Sequence, residues 1–222
     1  MRLFIAINFS EELTRELLRA VHSLRQQSAR GTFTRPENLH LTLAFIGETD
    51  RVNDAEAVLQ KVCSHHRSFP ITLSGSGRFP GRDRSTAASG RSEGDLYWAG
   101  LEKSPALSAL AADLQQELRK AGFPIEERAF RPHITLGRRV LPKAGPRPAE
   151  GAAQAPNPGR AAEAAQVPNS GRSPGAASRS AAAPIRLQIR PKTMDACWVS
   201  LMESERIDGI LTYTERASFR LR

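Results

Sequence analysis

The sequence predicts strands and helices arranged as two similar lobes, and three observations carry that expectation. "HLTL" at 40–43 returns as "HITL" at 133–136, 93 residues later. Leu3, opening the first apolar run, stands 37 residues before His40, and Leu96, opening "LYWAGL", stands 37 residues before His133. Each interval holds a strand pattern, a helix pattern and an arginine-rich approach, with Arg35-Pro36 and Arg131-Pro132 just ahead of the histidines. An internal duplication about a pseudo-twofold axis would bring the two histidine strands face to face.

The elements follow in order. "LFIAI" at 3–7 has the continuous apolar run of a buried strand. Ser10 is a candidate N-cap, with Glu11 and Glu12 in the first turn of the next helix and Arg25 near its end. Leu13, Leu17, Val21 and Leu24 mark its apolar face. "RPENLHLTLAFIG" reads as a strand ending at Gly47, and a second helix covers about 51–64 with Ala55, Val58, Leu59 and Val62 inward. "PITLSGSGRFPGR" reads as a short strand entering a loop, and "DLYWAGLE" as another strand. The third helix is well marked, with Ser104 as cap, Pro105 first, Gly122 past the end and a stripe of Leu107, Leu110, Leu114 and Leu118. "RPHITLGRRV" is again a strand, and "IRLQI", "ACWVSLM" and "YTERASFRL" are read as three closing strands from Ile185, Ala196 and Tyr213.

A chain of 222 residues suffices for one such bilobal domain with a real core. The apolar runs Leu3–Ile7 and Leu41–Ile46 are far too short to span a bilayer. The N-terminus reads as a first strand rather than a signal peptide, since no small-residue cleavage site follows the apolar run. Cys63 and Cys197 share no metal-ligand spacing and read as buried thiols. A cytoplasmic monomer without metal, cofactor or disulfide is the expectation. The net charge of +9 permits a polyanionic partner such as RNA. Residues 141–184 hold the tandem repeat "AAQAPNPGR" and "AAQVPNSGR" and almost no large apolar side chain. Nothing there offsets the entropy of ordering, so the segment reads as a disordered insertion.

In a strand, residues two apart share a face. His40 and Thr42 therefore oppose Leu41 and Leu43, and His133 and Thr135 oppose Ile134 and Leu136. The aliphatic set belongs to the core, which leaves two imidazoles and two hydroxyls for one cleft. Such a set suits opening a phosphodiester without metal. One neutral imidazole takes a proton from water, the other gives one to the leaving oxygen, and the threonines hold the non-bridging oxygens. Arg138 is the best candidate to neutralise developing charge, although strand alternation points it away from His133 unless the chain bends at Gly137. Phe45 shares the parity of Leu41 and Leu43, so core packing is the favoured reading and stacking on a nucleobase the lesser one. His22, His65 and His66 read as helix-surface or helix-end residues, and Ser204 and Tyr213 as structural.

With these motifs the chain resembles the 2H phosphoesterases, and within them the bacterial RNA 2′,3′-cyclic phosphodiesterases, also called the 2′-5′ RNA ligase family. The likeness rests on "RLFIAI", "RPENLHLTLAFIGE", "GRFP" at 77–80, "LYWAGLE", "FRPHITLGR", and "SLMES" followed by Gly209 and Tyr213. It covers the chain except roughly 141–184. The resemblance implies an α+β bilobal fold, with antiparallel sheets and outer helices around a central cleft. It implies hydrolysis of RNA 2′,3′-cyclic phosphate ends, possible tRNA fragments among them, to 2′-phosphomonoesters without metal or ATP. It assigns His40 as proton donor, His133 as the base that activates water, Thr42 and Thr135 as phosphate ligands, and Arg138 as a phosphate-contacting arginine. Joining of RNA ends through a 2′-5′ linkage comes with the same family. The alternatives are the same fold acting on a small cyclic nucleotide phosphate, or an RNA-binding protein with little turnover.

Overall fold

The computed structural model describes residues 1–81, 94–127, 129–143 and 185–222. The first part of the chain gives β1 (Arg2–Ile7), α1 (Glu11–Gln27), β2 (Ser28–Phe33), a 3-10 turn (Pro36–Asn38), β3 (Leu41–Glu48), α2 (Val52–Cys63) and β4 (Phe69–Phe79). The second gives β5 (Asp95–Leu101), α3 (Pro105–Lys120), β6 (Ile134–Pro142), β7 (Thr193–Ala196), β8 (Trp198–Ile207) and β9 (Ile210–Arg220). The expected caps form. The Ser10 hydroxyl accepts from the Leu13 amide at 3.4 Å, and the Ser104 hydroxyl from the Leu107 amide at 3.2 Å. Gly122, at φ +81°, takes the left-handed conformation that closes α3.

Two antiparallel sheets result, one ordered β3-β1-β8-β9 and the other β2-β6-β5-β4-β7. The duplicated pairs are legible in both, since β1 lies beside β3 and β5 beside β6. The lobes are nevertheless not successive halves of the chain. The first sheet borrows β8 and β9 from the C-terminal end, and the second borrows β2 and β4 from the N-terminal half. Helices cross over likewise, with α1 packed on β2 and β6 while α2 and α3 lie against β3, β8 and β9. The chain passes between sheets at Cys197: β7 pairs with β4, β8 pairs with β1, and the single strand expected from Ala196 is thereby broken.

Three further readings change. β2 falls in the arginine-rich approach, where the sequence pattern predicts no strand, and forms because β6 offers it an edge. "IRLQI" is not a strand. Its backbone is held by side chains instead: the Ile185 amide donates to the Tyr97 hydroxyl at 3.1 Å, and the Leu187 carbonyl accepts from Ser76 at 2.8 Å. The Arg190 amide donates to the buried Glu16 carboxylate at 3.0 Å. The third concerns the expected insertion. β6 runs to Pro142, and the remainder of that segment, 144–184, lies outside the described residues.

One apolar core joins both sheets and includes Leu3, Ile5, Ile7, Leu41, Leu43, Ile134, Leu136 and Val140. A second, small cluster of Phe4, Ala6 and Met202, with Tyr213 against it, sits on the other face of the first sheet. That face is the one carrying His40 and Thr42, because Ala6 pairs with Thr42 and Phe4 with Phe45.

Packing on the second sheet generates one prediction. The Trp98 ring lies directly over Gly77, so that a Cβ there would overlap it. Gly77→Ala should therefore destabilise the fold by about 1–3 kcal/mol, read as a lower midpoint in urea unfolding.

Candidate active site

His40 is placed by its backbone. The 3-10 turn Pro36–Asn38 ends the approach, with the Asn38 amide donating to the Arg35 carbonyl at 3.0 Å. The Asn38 side-chain amide donates to the Leu211 carbonyl at 3.0 Å, which ties the turn to β9. The Asn38 carbonyl then lies 2.9 Å from His40 Nδ1 and accepts its proton. His133 repeats the device, with Nδ1 2.8 Å from the Arg131 carbonyl. In both rings Nδ1 is thus the protonated nitrogen and Nε2 is left for chemistry. His40 Nε2 is 3.0 Å from the Thr42 hydroxyl, which donates to the neutral ring.

Aromatic rings hold both imidazoles edge-on. Tyr213 meets His40 at 5.1 Å and 83°, and Phe79 meets His133 at 5.3 Å and 88°. Phe4 lies 4.9 Å from the His40 ring and 5.0 Å from Tyr213, so the three rings form one cluster. Trp98, the cross-strand partner of Thr135, packs on Phe79 at 5.5 Å.

The two residues whose parity was in question are both settled by bulges. In β3, Ala6 pairs with Thr42 but Ile5 with Ala44, so Leu43 is the extra residue. In β6, Trp98 pairs with Thr135 but Tyr97 with Gly137, so Leu136 is the extra residue. Each bulge falls three residues after its histidine and reverses the alternation beyond it. Phe45 therefore does not pack in the core: it is 65% exposed, on the histidine face, with its ring 6.3 Å from Phe4. Arg138 is likewise turned out of the core, and no bend of the whole strand at Gly137 is required.

Burial pushes the His40 pKa down from 6.5 to about 4. The bond to the Asn38 carbonyl works against this, and the charges of Arg138 and His133 add to the depression. Arg138 and His133, from the second sheet, thus act on His40 electrostatically. His40, Thr42 and Phe45 share a face of the first sheet, while His133, Thr135 and Arg138 lie on β6 and its approach in the second. His22, His65 and His66 lie elsewhere, paired with Gln26, the Lys61 carbonyl and Asp113. Asn38, Phe4 and Phe79 were not singled out in the sequence, since nothing in their spacing shows that they touch a histidine ring or its backbone anchor. Tyr213, read as structural, lies at the site.

Comparison with known proteins agrees with this geometry. A family model described as the 2′-5′ RNA ligase superfamily matches residues 13–166. The RNA 2′,3′-cyclic phosphodiesterase of Thermotoga maritima is 36% identical over 62% of this chain and 70% of its own length. The protein of that name from Escherichia coli is 30% identical over 61% of this chain and 70% of its own. A crystal structure from Thermus thermophilus superposes with a TM-score of 0.67 at 24% identity, covering 100% of this chain and 98% of that one. Apo LigT of Escherichia coli gives 0.57 at 23% identity, over 99% and 96%. These structures share the fold, two antiparallel sheets with few helices. The chain belongs to the 2′-5′ RNA ligase superfamily.

The His40 environment makes folding pH-dependent. With its folded pKa below the unfolded value, the unfolded chain binds the proton more tightly, so stability falls as pH drops from 6.5 to about 4. The loss at this site should be on the order of 3 kcal/mol. Urea unfolding at pH 7 and pH 4 should show it in the native protein, and His40→Gln should remove that part of the difference.

Proposed function

We propose that this protein hydrolyses RNA 2′,3′-cyclic phosphate termini to 2′-phosphomonoesters, with two imidazoles exchanging protons around one phosphate. The observation that carries the proposal is the matched anchoring of His40 and His133, each with Nδ1 tied to a backbone carbonyl two residues earlier, together with the electrostatic action of Arg138 and His133 on His40. His133 Nε2 takes a proton from water as the water oxygen bonds to phosphorus. The bond from phosphorus to the ribose 3′ oxygen breaks, and His40 Nε2 gives that oxygen its proton. The 2′ ester remains. General acid and base help of this kind is typically worth ~10²–10⁴-fold in rate.

The low pKa of His40 sets a condition on this scheme. In the empty site the ring is neutral at pH 7 and has no proton to give. A bound phosphate anion offsets the charge of Arg138 and favours the His40 imidazolium, so the proton arrives with the substrate. Protonation also reverses the bond to Thr42. Nε2 then donates to the hydroxyl oxygen, and the hydroxyl hydrogen is released to a phosphate oxygen. Thr135 plays the matching part from β6, Arg138 neutralises the transition state, and exposed Phe45 offers a face to the terminal nucleobase.

In this reading the protein acts as a cytoplasmic monomer on RNA ends, tRNA fragments among them, and needs no metal. A 5′-hydroxyl in place of water would instead form a 2′-5′ linkage. The relatives that carry the name RNA 2′,3′-cyclic phosphodiesterase support the substrate class.

His40→Ala and His133→Ala should each lower turnover of a cyclic-ended oligoribonucleotide by ~10²-fold or more, with EDTA without effect on the native protein. The product should be the 2′-phosphate. A 3′-phosphate product, or full activity in folded His133→Ala, would overturn the assignment.

A further inference from the structure

The face that carries His40 also carries a carboxylate that the proposed reaction does not use. In the β8–β9 hairpin, Leu201 pairs with Ala217 but Met202 with Glu215, so Arg216 is the extra residue. This bulge gives Glu215, rather than Arg216, the cleft face, and Arg216 pairs instead with Glu203 at 3.6 Å. Glu215 is then fixed from two strands. The Ser200 hydroxyl donates to Oε2 at 2.7 Å, and the Asn8 side-chain amide donates to the same oxygen at 3.1 Å. Asn8 also reaches the Ser200 oxygen at 3.2 Å, and Ser200 itself is 2% exposed.

The trio continues directly from the phosphate-binding residues. Ile7 pairs with Leu41, which sets Asn8 one strand from His40. Thr42, Ala6 and Ser200 form one row across three strands, about 10 Å end to end by ordinary strand spacing. Only the Ala6 methyl stands between them. Glu215 is solvent-exposed, and Oε1 is not the oxygen that Asn8 and Ser200 hold.

Asn8 Nδ2 donates to the Ser200 oxygen and cannot take its proton, so the buried hydroxyl needs Glu215 Oε2 as acceptor. That contact occupies Oε2, and Oε1 is left facing the cleft for a ligand that a carboxylate suits. A carboxylate accepts hydrogen bonds and gives none. We infer that Asn8, Ser200 and Glu215 form a recognition point for an uncharged hydrogen-bond donor of the RNA, a ribose hydroxyl or a base amino group. It lies across the sheet from Phe45. The inference rests on the cyclic-phosphate reading of the histidine site. It gives the protein a preference among RNA ends that the acid–base pair alone would not supply.

The test uses cyclic-ended trinucleotides with the native full-length chain, Glu215→Ala and Glu215→Gln. One arm compares ribose with 2′-deoxyribose at the nucleotides before the cyclic end. The other compares cytosine or adenine with uracil at each position. The native protein should prefer the donor-bearing member in one arm by roughly tenfold to a hundredfold in kcat/KM. Glu215→Ala should abolish that preference while cleaving the donor-free substrate as the native protein does. Glu215→Gln, which keeps a side-chain oxygen for Asn8 and Ser200, serves if the alanine variant unfolds, and should blunt the same preference. An equal loss on every substrate, or no preference in either arm, overturns the inference. Failure of the native protein to cleave any of them would instead overturn the cyclic-phosphate reading.

Discussion

The site depends on one backbone feature used twice, an extra residue in the strand three positions after each histidine. Leu43 and Leu136 are those residues, and both remain in the core. A regular strand would send the fifth residue after each histidine inward with the aliphatic set. The bulge sends it outward, so that β3 delivers Phe45 and β6 delivers Arg138 to the cleft. The duplication therefore gives equivalent positions with unlike chemistry, an aromatic ring on one sheet and a guanidinium on the other. Symmetry supplies two imidazoles, and in the proposed reading the asymmetry of these paired positions serves phosphate on one sheet and nucleobase on the other.

Electrostatics then couples the two sheets. His40 is half-buried against Phe4 and Tyr213, and two groups from the opposite sheet discourage its protonation. A ring in that state is a poor acid until an anion enters. The same burial that lowers stability in acid thus makes the proposed proton donor conditional on substrate. In the free protein the Thr42 hydroxyl is engaged with the ring; in the proposed scheme it changes partner when the ring gains its proton, so that binding and catalysis would share one hydrogen bond.

Much of this was legible in the sequence. Ser10, Ser104, Pro105 and Gly122 marked helix ends through local chemistry, and local chemistry held. Period-two alternation placed His40, Thr42, His133 and Thr135 on one face, because only short stretches of regular strand were needed. The same rule failed at Phe45 and was insufficient at Arg138, since a bulge is a property of two paired strands and neither strand shows it alone. The exchange of strands between lobes was hidden for the same reason. Edge partners such as β2 with β6 are chosen by space and free backbone groups, and "SARGTF" has little strand character of its own. "IRLQI" has that character but meets Glu16, Ser76 and Tyr97 rather than an open edge.

The central claim is that His40 is a neutral base in the empty cleft and an acid once a phosphate is bound. Nitrogen-detected NMR titration of the imidazoles, with and without a saturating 2′-nucleoside monophosphate, measures this directly. His40 should titrate near pH 4 in the free protein and move towards neutrality with the nucleotide bound. A His40 ring that titrates near 6.5 in the free protein, and is unmoved by the nucleotide, would contradict the account.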